Sequence, residues 1–322
     1  MIDPTAVFQN IKKEVAKVIM GNDDMIEQVI IAFFCGGHVL IEGAPGLGKT
    51  LLVKTISKIL NIKFNRIQFT PDLMPADIIG TTVIHQTESG ERVFRFQKGP
   101  LFANLILADE INRATAKTQS ALLEAMGEGS ISIAGKSHQL EQPFFVMGTQ
   151  NPLEMDGTYK LPEAQLDRFL FKIDVPFPDL STLIQIVDST TTNIQAEVFP
   201  VVDVKSTMVI RTNIRDVPIA SHLTEFACKL VRATQASVVD ATPIAKKYIG
   251  WGVGPRGLQS LILSAKAHAY FNGRVHVSKD DILKMIKPTF RHRILLNFEG
   301  EAEGLSSDEL IDKVIDYVEK RG

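Results

Sequence analysis

A chain of 322 residues with 45% hydrophobic and 22% charged side chains has the make-up of a soluble globular protein, long enough for one large domain and one smaller one. A formal charge of -2 excludes a global electrostatic footprint for nucleic acid or an anionic membrane, and the longest apolar run, Val29 to Cys35, is far too short to span a bilayer. Met1-Ile2-Asp3-Pro4 places no basic segment ahead of an apolar core, and Cys35 and Cys228 lack metal-ligand spacing. A cytoplasmic protein with two reduced core cysteines is expected.

Residues 5–36 alternate with helical period, interrupted at Gly21-Asn22. A short β-rich run, His38 to Gly43, leads through Gly/Pro punctuation into a helix from Lys49 to Leu60, and Phe64 to Thr70 reads as the next strand. Thr81 to Gly99 has the pattern of a β-hairpin turning at Ser89-Gly90. Asn104 to Glu110 is a nearly continuous apolar strand, as expected when helices cover both faces of a parallel sheet. A helix from Lys117 to Gly127, a second hairpin over Ser130 to Leu140, and strands at Phe144–Asn151 and Phe169–Pro178 follow. Strands alternating with helices predict a parallel α/β sheet. Past residue 178 helical patterns dominate, including Leu223–Thr234, Gly257–Phe271 and Lys279–Ile286, while Asp188–Asn193 reads as a loop or fraying helix end. The chain therefore divides into a nucleotide-binding core at 1–178 and a small helical domain at 179–322.

The first chemical signal is "GAPGLGKT", Gly43 to Thr50, which fits G-x-x-x-x-G-K-[ST] between an apolar strand and a helix. Gly46 and Gly48 let the backbone curl so that successive N–H groups point at phosphate oxygens at a helix N-terminus. Lys49 supplies charge to the β- and γ-phosphates, and the Thr50 hydroxyl is a Mg²⁺ ligand. Asp109 and Glu110 lie just past an apolar strand, at the sheet edge where α/β folds bind ligands. Asp109 suits the Mg²⁺ shell and Glu110 suits activation of a water. Gln150-Asn151 ends a third strand, and its amides can bond that water or the γ-phosphate.

Together these stretches, with "FTPDLMPADIIGT", "FRFQKGPLFANLILADEINRA", "KTQSALLEAMGEG" and "GTQNPLEMDGTYKLPEAQLDRF", resemble AAA+ ATPases, and their wording is similar to the MoxR family. The resemblance covers residues 5 to about 178 and continues more weakly through "GVGPRG", Gly252 to Gly257. It implies a P-loop core with a central parallel sheet, two β-hairpin insertions and an all-helical lid. Gly43, Ala44, Pro45, Gly46, Leu47, Gly48, Lys49 and Thr50 become the Walker A loop, with Leu51 beside it. Asp109 and Glu110 become Walker B, Asn151 sensor 1 and Arg256 the sensor 2 arginine, reaching from the lid to the phosphates. Met20 and Gly21 resemble the segment lining the adenine pocket, although a hinge between two helices explains them nearly as well. Where the family has Ala-Ser-Pro-Arg, this chain has Val253-Gly254-Pro255-Arg256.

The resemblance further implies ATP and Mg²⁺ as ligands, a homo-oligomeric ring, commonly hexameric, and protein clients that often carry von Willebrand factor A domains. A chaperone-like remodelling ATPase is the leading expectation. Alternatives are a nucleic-acid-associated motor, a metal-chelatase-like motor subunit, and a nucleotide-dependent switch with little turnover. Arg291-His292-Arg293 and Arg92/Arg95 are the local basic groups that a nucleic-acid motor would use, and a solvated face is the simpler reading of them. His38, at the head of a strand, is expected to be structural.

One cation remains. Arg168, in "LPEAQLDRF", has a plain reading as a surface group paired with Asp167 or Glu163. In AAA+ relatives an arginine finger follows sensor 1 at this place, and the resemblance gives that role to Arg168. Such a group completes a neighbour's site, so turnover is expected to rise with protein concentration.

Overall fold

The computed structural model describes residues 3–86, 88, 92–133, 135–151, 159, 161–192 and 196–321. Asp3 opens the first helix, α1 (Pro4–Ala16), by accepting from the Thr5 and Ala6 amides, with Pro4 at the position where its missing N–H costs nothing. Gly21 and Asn22, both at positive φ, turn the chain into α2 (Asp23–Cys35). The order continues through β1 (Val39–Glu42), α3 (Lys49–Ile59), β2 (Phe64–Gln68), α4 (Pro75–Ile79), β3 (Gly80–Gln86), β4 (Arg92–Lys98), β5 (Leu105–Asp109), α5 (Ala116–Glu128), β6 (Ser130–Ile133), β7 (Lys136–Gln139), β8 (Phe145–Gln150), α6 (Glu163–Leu166) and β9 (Phe171–Asp174). Ser89-Gly90, the expected turn of the first hairpin, lies outside the described residues.

Among the described residues, five parallel strands form one sheet in the order β2-β5-β8-β1-β9. Alternate strand residues feed two cores, as the two-residue period of a strand requires. Val39, Ile41, Leu105, Leu107, Phe145 and Met147 face α1, α2 and α3, whereas Leu40, Ile106, Ala108 and Val146 face α5. β3 pairs with β4 and β6 with β7 as separate antiparallel hairpins, and the two meet where Phe96 lies 4.4 Å from the His138 ring.

After β9 come α7 (Leu180–Thr190), α8 (Val204–Asp216), α9 (Ser221–Ala233), α10 (Pro243–Tyr248), β10 (Ile249–Trp251), α11 (Pro255–Phe271), α12 (Lys279–Phe290), β11 (Leu295–Leu296), α13 (Phe298–Ala302) and α14 (Ser307–Glu319). This region is helical, as expected, apart from a short antiparallel ladder of β10 with β11. The stretch from Asp188, expected as a loop or fraying helix end, begins as the last turn of α7, which ends at Thr190. The first apolar cluster runs unbroken from the sheet into these helices through Ile210, Leu261, Ile282 and Leu310. Among the described residues no helix is long and apolar enough to cross a membrane.

Two expectations about side chains need correction. Arg291-His292-Arg293 is not a solvated face, because His292 and Arg293 are buried and Arg291 nearly so. All three were read as surface because basic triplets usually are; here each finds an acceptor. Arg291 pairs with Asp308 and Asp174, and His292 bonds the Phe169 carbonyl. Arg92 and Arg95, in contrast, are exposed on β4. Cys35 is a buried core thiol whose pKa burial pushes up to about 12, whereas Cys228 is only half-buried.

Candidate functional site

The carboxyl ends of β1, β5 and β8 converge on one crevice. Out of β1 the chain runs through Gly43–Gly48 into α3, with Gly46 at φ 83° and Gly48 at φ 73°. A side chain added at either would meet nothing within 4 Å, so it is the left-handed backbone, not crowding, that requires glycine. Gly43 is packed closely on Val175, and Ala44 is half-buried behind the loop. Residues 45–51, Arg66, Gln68, Asp109, Glu110, Thr149, Gln150 and Asn151 line a cavity of about 450 Å³. The expected loop, both carboxylates and both strand-end amides therefore share one wall.

The groups in this crevice bond one another. Lys49 donates to the Gly43 carbonyl at 2.5 Å. Desolvation holds its pKa below the ordinary lysine value, against the pull of Asp109, Glu110 and Glu42. Asp109 accepts from Arg66 at 2.8 Å and from the Thr149 hydroxyl at 2.6 Å. Glu110 sits at φ 56°, a left-handed conformation that costs a residue with a Cβ roughly 1–2 kcal/mol. Its amide donates to the Thr149 hydroxyl, while its carboxylate accepts from Gln68 at 2.9 Å and Arg113 at 3.1 Å. Asn22 and Asn61 are the other non-glycine residues at positive φ among the described residues, and of the three Glu110 alone lines this cavity.

Arg66, Gln68 and Thr149 were not singled out from the sequence. A signal was present, because Arg66 and Gln68 are two apart on one expected strand, and β2 pairs with β5 so that Gln68 faces Asp109. His38 bridges the Val146 amide and the Met126 carbonyl at 3.0 and 3.2 Å, and burial lowers its pKa to about 4. It is a structural, neutral imidazole.

The remaining candidates lie elsewhere. Met20 and Gly21 are outside the wall of this cavity; Gly21 is pressed against Thr182 of α7, so closely that a Cβ would stand 2.8 Å from its methyl group. Arg168 precedes β9, whose first residues bond the His38 carbonyl at the head of β1. It is therefore at the amino edge of the sheet, about 13 Å of strand away from the loop that follows β1. Its guanidinium donates to the Leu123 carbonyl at 2.8 Å and abuts Gly127, near the end of α5. Arg256, in the first turn of α11, is 3.8 Å from Asp167 and shares that edge with Arg168. Asp167 is bound more tightly by the buried Arg293, at 2.7 Å. Arg293 also donates to the carbonyls of Leu170, Thr289 and Phe169. The carboxylate suggested as a partner for Arg168 thus serves Arg293 and Arg256.

A glycine loop at a helix N-terminus, two carboxylates at the end of the adjoining strand, and a helical lid define an AAA-type nucleotide-binding fold. The family profile described as ATPase family associated with various cellular activities (AAA) matches residues 38–171, and the AAA lid domain matches 241–314. Chaperone MoxR1 of Mycobacterium tuberculosis is 38% identical over 95% of this chain and 80% of its own length. An uncharacterized Bacillus subtilis protein, YeaC, is 36% identical over 95% of this chain and 92% of its own. A crystal structure of an ATPase candidate from Cytophaga hutchinsonii superposes with a TM-score of 0.90 at 40% identity, covering 98% of this chain and 94% of that one. The chain belongs to the MoxR-type AAA+ ATPase family.

Proposed function

We propose that this protein binds ATP with Mg²⁺ in the crevice of residues 45–51, hydrolyses it, and uses the cycle to remodel or mature other proteins. The supporting observation is that Lys49, Asp109, Glu110 and Asn151 line one cavity although they come from different strands and loops. Open glycine backbone at Gly46 and Gly48 leaves room for phosphate oxygens against the α3 N-terminus. Lys49, half-buried and bonded among the described residues to a carbonyl, is a cation placed to pair with phosphate instead. Thr50 and Asp109 fit the Mg²⁺ ion, which takes few protein ligands beside phosphates and water. When bound there, the ion would supply charge neutralisation to the triphosphate.

Glu110 takes a proton from the attacking water as the water oxygen bonds to the γ-phosphorus and the bond to the β,γ-bridging oxygen breaks. ADP and inorganic phosphate result. Asn151 orients the water or the γ-phosphate by its amide. The Arg66 and Gln68 side chains, now on Asp109 and Glu110, must give way or follow when the crevice fills. Met20 and Gly21 belong to the adenine side of the site in this reading.

Arg168 and Arg256 act on a neighbouring copy's nucleotide. Their position at the amino edge of the sheet supports this, since their own crevice opens at the carboxyl edge. A sensor 2 arginine acting across a subunit boundary replaces the expectation that Arg256 reaches its own phosphates. The working form is then a homo-oligomeric ring, with six subunits as the family expectation, a nucleotide core to residue 178 and a lid beyond it. Protein clients, among them proteins with von Willebrand factor A domains, are the proposed targets. The test is phosphate release with Mg²⁺ and ATP. Glu110→Gln is expected to bind nucleotide normally with turnover reduced at least about a hundredfold, and retained turnover would overturn the assignment. Affinity capture with that trapped variant then identifies the clients.

A further inference from the structure

We propose that Arg66 is a counter-cation for Asp109 that a metal ion must displace, so that the crevice accepts Mg²⁺ together with a nucleoside triphosphate and refuses it alone. Arg66 stands on β2 opposite Leu107 of β5, one diagonal step from Asp109, and long side chains span such a diagonal. Two of its donors converge on a single carboxylate oxygen, for Nη2 at 2.8 Å and Nε at 3.2 Å both bond Asp109 Oδ2. Nη2 also donates to Gln68 Oε1 at 2.9 Å, and Gln68 in turn donates to Glu110, which holds the guanidinium fork in place. The other oxygen of Asp109, Oδ1, accepts from the Thr149 hydroxyl at 2.6 Å. Both carboxylate oxygens are therefore engaged by the chain's own donors, one of them by a full charge. The Arg66 side chain is 47% exposed and that of Asp109 only 16%, so the arginine can swing outward while the carboxylate stays.

Charge decides what can displace it. Among the described residues, Lys49, Arg66 and Arg113 stand against Asp109 and Glu110 at this crevice, while Glu42 is paired with Lys172 at 2.5 Å. The wall is thus net positive. It repels a bare divalent cation and attracts a metal–triphosphate complex, which is an anion. A lone ion must also break two charge-assisted bonds to gain one carboxylate. A triphosphate arrives with oxygens that the released Arg66 can bond, which offsets the bonds it gives up. Arg66 is in this sense a positioning residue, acting on the metal shell through Asp109.

The proposal rests on the reading of this crevice as a site for ATP with Mg²⁺, so metal binding is measured without nucleotide and nucleotide binding beside it. Mn²⁺, whose electron spin resonance signal reports the free ion, is titrated into nucleotide-free wild type, Arg66→Ala, Arg66→Lys and the double variant Arg66→Ala with Asp109→Asn. Circular dichroism confirms the fold of each. Removing the guanidinium is expected to tighten Mn²⁺ binding about tenfold or more, the size of one hydrogen bond to a charged group. The double variant is expected to lose that gain, which locates the ion on Asp109. Arg66→Lys is expected to fall between wild type and Arg66→Ala, because an ammonium keeps the charge without the fork. Affinity of Arg66→Ala for ATPγS with Mg²⁺ is expected to stay within a few-fold of wild type, since the lost phosphate contact and the relieved competition oppose each other. Equal Mn²⁺ affinity of wild type and Arg66→Ala, or a gain that survives in the double variant, would overturn the proposal, and ATPγS binding by the wild type would then leave the nucleotide reading standing. Failure of the wild type to bind ATPγS with Mg²⁺ would defeat that reading and this proposal with it. Should Arg66→Ala lose its fold, Arg66→Gln carries the same comparison with a neutral side chain of similar reach.

Discussion

The nucleotide crevice and the arginine face occupy opposite edges of one sheet, and they are built in opposite ways. In the crevice, polar groups are tied to one another by bonds that a ligand can replace: Lys49 to a carbonyl, Asp109 to Arg66, Glu110 to Gln68. At the other edge the anchor is buried and fully engaged. Arg293 fixes Asp167 and three carbonyls, and it joins α12 to the segment that leads into β9. Arg168, part-buried with its guanidinium on the Leu123 carbonyl, and Arg256, with its side chain 55% exposed, stand on that anchored frame. A site proposed to admit and release a ligand is kept rearrangeable, while a group proposed to reach a second molecule is given a rigid mount.

The largest effect that would break this comparison comes from Arg168. Arg168→Ala is expected to bind nucleotide within a few-fold of wild type and to lose on the order of 10³ in turnover, the lower end of what arginine fingers contribute. Mixing it with Glu110→Gln sharpens the contrast. The first variant has a sound crevice and no finger, and the second has a finger and no base, so mixed assemblies regain phosphate release. Absence of any recovery would place both groups in the same subunit's site.

The mount is tested next. Removing one partner of a buried ion pair leaves an uncompensated charge and costs about 3–5 kcal/mol. Asp167→Ala, which strands the buried Arg293, is expected to fall near the lower end because the three carbonyls still accept from Arg293. A thermal melt reads the loss directly. Gln68→Ala, in the replaceable network of the crevice, is expected to change stability by less than about 1 kcal/mol, since a net hydrogen bond contributes that much or less. Equal losses would erase the distinction between the two edges.

The crevice was legible because its chemistry sits at strand ends in short, ordered motifs. Gly43 to Thr50 and Asp109-Glu110 each announce themselves locally, and the parallel sheet brings them together. Arg168 could be given a role from resemblance, but its distance from its own crevice follows only from strand direction, which places the start of β9 beside His38. Arg293 was unreadable for another reason. It is 126 residues from Asp167 in sequence, and a basic triplet carries no mark of the buried acceptors awaiting it. The strands β10 and β11 were missed because segments of three and two residues are too short to show a period.

A pH-dependent effect concerns the junction that carries the lid on the core. His268 of α11 lies between Glu27 of α2, at 3.5 Å, and Asp281 of α12, at 2.5 Å. Lys12 also pairs with Glu27, and Arg274 with Asp281, while Lys284 and Asp24 pair nearby. The hydrogen bond from His268 leads the lowering of Glu27 from 4.5 to about 2. Burial opposes the charge on His268, but its two carboxylates outweigh that and raise its pKa. A depressed carboxylate stabilises the fold above its unfolded value and loses that contribution as pH falls toward 2. A raised histidine stabilises below about 6.5 and loses its contribution as pH rises through the folded value. Both are therefore in force between about pH 4.5 and 6.5. At about 1.36 kcal/mol per unit, the Glu27 shift corresponds to roughly 3 kcal/mol, reduced by the water that reaches its edge. Glu27→Gln is expected to lower the melting temperature most within that window, with a deficit that shrinks as pH falls below 4.5 and closes only near pH 2. His268→Gln removes the loss of stability on the alkaline side. A Glu27→Gln deficit that stays constant from pH 3 to 6 would show that α2 is held to the lid by packing alone.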